Sequence, residues 1–109
     1  MHKSIEFLGN SLQALREFPV AARRETGLQL DRLQRGLEPA DWKPMTNIGA
    51  GVHEIRVRSE SNAYRTLYIA KLPEAIYVLH CFQKKSQKTP QTDLEIAKKR
   101  LQELMRKNA

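Results

Sequence analysis

From residue 52 the apolar side chains recur at every second position, and near residue 90 they return to helical spacing. A period of two buries one face of an extended strand, whereas a period near 3.6 buries one stripe of a helix. The chain therefore holds a block of strands between helical segments. "VHEIRVRS" alternates His53, Ile55 and Val57 against Glu54, Arg56 and Arg58. "AYRTLYIAKL" alternates Arg65, Leu67 and Ile69 against Tyr64, Thr66 and Tyr68. "SESNA" between them has hairpin chemistry. "PEA" then turns the chain into "IYVLHCFQ", a nearly unbroken apolar run that suits a central strand covered on both faces. Consecutive strands on short turns form an antiparallel meander.

The flanks complete an α+β fold. "SIEFLG" reads as a short first strand. Asn10 or Ser11 can cap a short helix carrying Leu12 and Leu15. Pro19 suits the first turn of a second helix, along which Ala22, Thr26, Leu30, Leu33 and Leu37 recur and after which Gly36 is a stop. These segments form a helical hairpin. "LEPADWKPMTNIGAG" is a connecting loop with room for one short strand, and Trp42 is placed at its edge. Thr89 as N-cap and Pro90 at the first helical position open a last helix with Leu94, Ala97, Leu101 and Leu104 in a stripe. The expected architecture is an N-terminal strand and helical hairpin packed on one face of a curved antiparallel sheet. The C-terminal helix is placed near the sheet edge, leaving the other face free.

One domain, residues 1–109, accounts for the length. No apolar run approaches the roughly 20 residues of a membrane helix, so no membrane partner is expected. Cys81 is the single cysteine and cannot form an internal disulfide; cytoplasm is the expected compartment. The 19 Lys and Arg exceed the 12 Asp and Glu, a formal net charge of +7, which favours polyanions or acidic proteins as partners.

Conventional catalytic sets are missing. No Cys or His pair has metal-ligand spacing and no glycine-rich loop cradles a phosphate, so neither a metal nor a cofactor is expected. What remains is a basic set on the strands: Arg56, Arg58, Arg65, His80, Lys84, Lys85 and Lys88, with Tyr64, Tyr68 and Phe82 as aromatic companions. His80, Phe82 and Lys84 share a strand face. Arginine forks onto phosphate, lysine supplies a point charge and an aromatic ring stacks on a base, so the patch suits RNA. Inner-strand arginines also need a partner. Surface roles compete with these: a histidine in an apolar strand is more often a core residue, and Arg58 is at home in solvent.

"WKPMTNIGAGVHEIRV", "YRTLYIAKL" and "IYVLHCFQKKSQKTPQTDLEIAKKR" resemble the signature blocks of the HigB-type, phage-derived branch of the RelE/ParE toxin superfamily, over about residues 42–100. The resemblance implies a RelE-like sheet packed by helices. It implies the toxin of a toxin–antitoxin pair, held by a cognate helix-turn-helix antitoxin and cutting mRNA on the ribosome. Gyrase inhibitors of the same superfamily and a plain RNA-binding module are the alternatives. Matching positions carry over as Arg56, Arg65, Lys84, Lys85 and Lys88, with Tyr64, Phe82 and Gln87 in support. His53 and Cys81 depart from the common pattern. Lys84 or Lys85 is then expected to transfer protons, Arg56 and Arg65 to hold the phosphate, and His80 to be an outside candidate for acid or base. Alanine at Arg65 or Lys84 is expected to relieve repulsion and leave folding intact.

Overall fold

The computed structural model describes residues 2–107; residues 1 and 108–109 of the expected 1–109 domain lie outside them. The elements in chain order are β1 (Ser4–Phe7), α1 (Ser11–Arg16), α2 (Val20–Gln34), β2 (Trp42–Pro44), β3 (Val52–Ser59), β4 (Asn62–Ile69), β5 (Ala75–Lys84) and α3 (Gln91–Lys107). The strands form one five-stranded sheet in the order β1-β5-β4-β3-β2. β2 to β5 pair antiparallel, as short turns require. β1 departs from the expected antiparallel sheet: it runs parallel to β5, with Ser4 opposite Ala75 and Phe7 opposite Val78. The chain leaves β1 through the helical pair and returns to its side only at β5. No tight turn therefore dictates its direction.

Local signals fix most helix ends. Pro19 stands at the boundary of α2, and its carbonyl accepts from the Arg23 N–H. Gly36, at φ 79°, closes the same helix: its N–H donates to Leu33 and the Leu37 N–H donates to Arg32, a paired arrangement that satisfies the last carbonyls. Leu37 thus lies beyond α2 and is 45% exposed, outside the predicted stripe. The start of α3 is one residue later than expected. The Pro90 carbonyl accepts from Asp93 and Leu94, so Pro90 and not Thr89 marks the boundary.

The sheet is covered on both faces. Leu15, Phe18, Ala22 and Leu30 of the helical pair pack on Ile55, Val57, Tyr64, Tyr68, Ile76 and Val78. On the other face Ala97, with Leu94 and Leu101 beside it, meets Val52, Leu67, Leu79 and Phe82, and Met45 and Ile48 join from the β2–β3 loop. The last helix therefore lies over part of the second face, along β5, the neighbour of the edge strand β1. It leaves uncovered the end of that face where β3, β4 and β5 carry Arg56, Arg65 and Lys84.

A bulge in β5 shapes the covered part. Leu67 pairs with His80 but Tyr68 pairs with Val78, so Leu79 is an extra residue. Leu79 joins the core under α3 while the adjacent His80 also reaches α3 through Asp93.

Candidate functional site

Register assembles the site. Arg56 on β3 lies opposite Arg65 on β4, and Arg65 lies opposite Phe82 on β5. Residues opposite one another share a face, as do residues two apart. Glu54, Arg56, Arg65, Phe82 and Lys84 therefore project to the same side. Lys43 on β2 is opposite Glu54 and extends the row to the edge strand.

Like charges directly opposite repel, and the Arg56–Arg65 pair would be unfavourable alone. The compensating charge is Glu54, which is 0% exposed; its Oε1 lies 3.4 Å from Arg65 Nε. Arg65 is 5% exposed and its Nη1 donates to the Tyr64 carbonyl at 3.1 Å. Among the described residues no group hydrogen-bonds either Glu54 oxygen, and Nε of Arg56 and of Arg65 is likewise buried without such a partner. Burial lowers the Arg65 pKa; Glu54 opposes that shift, and Arg56 adds to it. Arg65→Ala would remove the ion-pair partner of the buried Glu54, so a loss of stability is expected where relief of repulsion alone suggested none.

Lys84 terminates β5 and is half-buried. Burial lowers the pKa of its amine, and Arg65 lowers it further, as do Lys43 and Arg56, while Glu54 acts in the opposite sense. A lysine so placed reaches its neutral, proton-accepting form more readily than one in solvent. Two clefts meet at it. One is lined by Arg58, Ser61, Asn62, Gln83, Lys84 and Lys85. The other is lined by Lys43, Thr46, Asn47, Lys84, Lys88 and Gln91, and Gln87 borders both. Lys85, Gln87 and Lys88 are exposed.

The remaining candidates divide. Tyr64 is 3% exposed and faces the other side, where its ring meets Phe18 at 4.8 Å, so it does not join the basic cluster. Phe82 shares the cluster's face but is 8% exposed and stacks on His80 at 5.2 Å, which makes it a floor of the site and part of the core. The His80 Nε2 lies 2.6 Å from Asp93 Oδ1, fastening β5 to the first turn of α3. Burial lowers the His80 pKa, against the pull of Asp93. His80 is thus a buried tie between elements, as the core reading of a strand histidine anticipates. Arg58 is exposed and borders the first cleft.

Sequence reasoning missed Glu54, Lys43 and Asp93. Glu54 carried a signal, since it stands two residues before Arg56 and so shares its face. Lys43 gave none, because its segment reads as loop.

The uncovered end of the sheet thus combines a lysine of weakened proton affinity, two opposed arginines and two polar clefts, features suited to a phosphate-bearing partner. Comparison with curated proteins returns no match. A family model does match, over residues 13–102, a span that takes in both helical packing layers and every residue of the cluster. The chain accordingly belongs to the phage-derived Gp49-like family (DUF891), a RelE/ParE-like family of toxins from toxin–antitoxin systems.

Proposed function

We propose that the protein is the toxin of a type II toxin–antitoxin pair of the HigB type, acting in the cytoplasm as a ribosome-dependent mRNA endonuclease, and that residues 1–109 form a single toxin domain. The observation that carries this reading is the meeting of Lys84 with Arg56 and Arg65 at the uncovered end of one sheet face. The scissile phosphate sits against Lys84 and Arg56, with Arg65 strengthening the positive field from behind. The nucleophile is the 2′-OH of the RNA. Its oxygen bonds to phosphorus as the bond to the 5′-oxygen breaks, leaving a 2′,3′-cyclic phosphate. The neutral Lys84 amine takes the 2′-OH proton, and a protonated neighbour, Lys85, returns one to the leaving 5′-oxygen. Arg56 and Arg65 offset the charge that develops on the phosphate. Exposed Lys88, Gln87 and Arg58 line the clefts on either side and suit the flanking nucleotides. A cognate helix-turn-helix antitoxin restrains the toxin.

The ribosome belongs in this reading because a few lysines orient a flexible RNA poorly, and placement is worth several kcal/mol of the barrier. The test is 5′-end mapping of a message incubated with purified protein, with and without translating ribosomes. Cleavage that needs ribosomes and falls by about 10²-fold or more in Lys84→Ala is expected. Equal cleavage of free RNA would refute ribosome dependence. Absent cleavage together with inhibited DNA supercoiling would replace the nuclease by a gyrase inhibitor.

A further inference from the structure

We infer that Glu54 is a positioning residue for the basic end of the sheet: its buried carboxylate holds the Arg65 guanidinium and acts through it on the diagonal neighbour Lys84. The carboxylate is fully buried, lies 3.4 Å from Arg65 Nε and receives no hydrogen bond from the described residues at either oxygen. A sheet interior built only for stability would place an aliphatic side chain there, as it does at Val52 two residues earlier on the same face. The surroundings explain the exception. Lys43 is opposite Glu54 on β2, Arg56 is two residues along β3, and Arg65 is diagonal on β4. Cations from three strands thus gather around one anion, and Lys84 on β5, diagonal to Arg65, is a fourth on the same face.

Charges on every packed element enter the balance. Arg65, Lys43 and Arg56 favour loss of the Lys84 proton, and Glu54 favours its retention. Asp41, before β2, adds a negative influence on Arg65, and Arg58 a positive one. Lys88 stands across the second cleft from the edge strand. Glu54 is the most deeply buried of this set, at 0% exposed, and its oxygens cannot reach a substrate. Its influence passes through Arg65 and Lys84. The catalytic consequence rests on the nuclease reading, but the titration of Lys84 does not.

The experiment compares the wild type with Glu54→Gln, which keeps shape and removes charge. Amine acylation of intact protein is followed across pH, with Lys84 read by peptide mass spectrometry and Lys98 and Lys99 on α3 as controls. At a pH below the Lys84 midpoint, labelling of Lys84 should rise about threefold or more in Glu54→Gln, with the α3 lysines unchanged. The rising limb of the cleavage–pH profile should move to lower pH with it. Unchanged Lys84 labelling in a folded Glu54→Gln protein would overturn the inference. Should that variant not fold, carboxyl-labelled wild type gives the same answer by NMR: the Glu54 carbon shift must follow Lys84 ionisation, and Lys84→Met must abolish that inflection. A flat Glu54 signal overturns the inference. Wild-type protein that cleaves no message sinks the nuclease reading while leaving both titrations interpretable.

Discussion

Arg65 and Lys84 are diagonal neighbours, yet removing them exposes different things. Arg65→Ala leaves the Glu54 carboxylate buried and unpaired, a loss of about 3–5 kcal/mol that urea denaturation would register as a lower midpoint. Lys84 is half-buried at a strand end, so Lys84→Ala should change stability by no more than about 0.5 kcal/mol while abolishing growth arrest on induction. His80 makes stability depend on pH. Its folded pKa lies below the ordinary 6.5, so the unfolded chain takes up the proton first as pH falls. The melting temperature should therefore decline below about pH 6.5, and His80→Gln should flatten that decline. At this scale the sequence was partly readable. Strict alternation put Arg56 on the face of Glu54, and the need of inner-strand arginines for a partner was visible. The cation opposite Glu54 was not, because Lys43 stands in a segment dense in proline and glycine. The His80–Asp93 contact was hidden too, since nothing in "IYVLHCF" marks the residue that bulges.

Element boundaries were legible wherever one residue type dictates backbone geometry. Pro19 and Pro90 each stand one residue before a helix, and Gly36 two residues past one. The direction of β1 was not legible, because a parallel pairing across the whole chain has no local sequence cause. The β3–β4 turn shows how far local chemistry can be overridden. Glu60 and Ser61 occupy it at φ 50° and 67°, the left-handed region that asparagine and glycine tolerate best. Ser61→Gly should remove about 1 kcal/mol of strain and raise the thermal midpoint. The docking of α3 offers the opposite case. A methyl group on Gly49 would collide with the Leu101 side chain, so Gly49→Ala should destabilise by about 1–3 kcal/mol in the same melt. That close approach explains a glycine whose φ is not left-handed.

For the molecule as a whole, a net charge of +7 implies that the RNA binding expected of the proposed nuclease is sensitive to salt. Binding of a short single-stranded RNA should weaken as salt rises, and Lys84→Ala should reduce the slope of log affinity against log salt by about one. A variant with the wild-type slope would place Lys84 away from the phosphates. The two faces of the sheet divide the work: one packs the helical pair, and the other combines the α3 core with an open cationic end. The period of two predicted both faces but not how far α3 extends over the second, because that depends on where the bulged β5 meets the helix. One last feature bears on descent. Lys85, Ser86, Gln87 and Lys88 are exposed in the connection after β5, whereas Arg65 and Glu54 lie sealed in the sheet. If the protein acts as proposed, mutations in that connection change which RNA is gripped without weakening the framework that holds the charges. Under the proposed function, lineages can thus diversify their targets by drift in one short loop, while a change at the sealed pair carries a cost in stability.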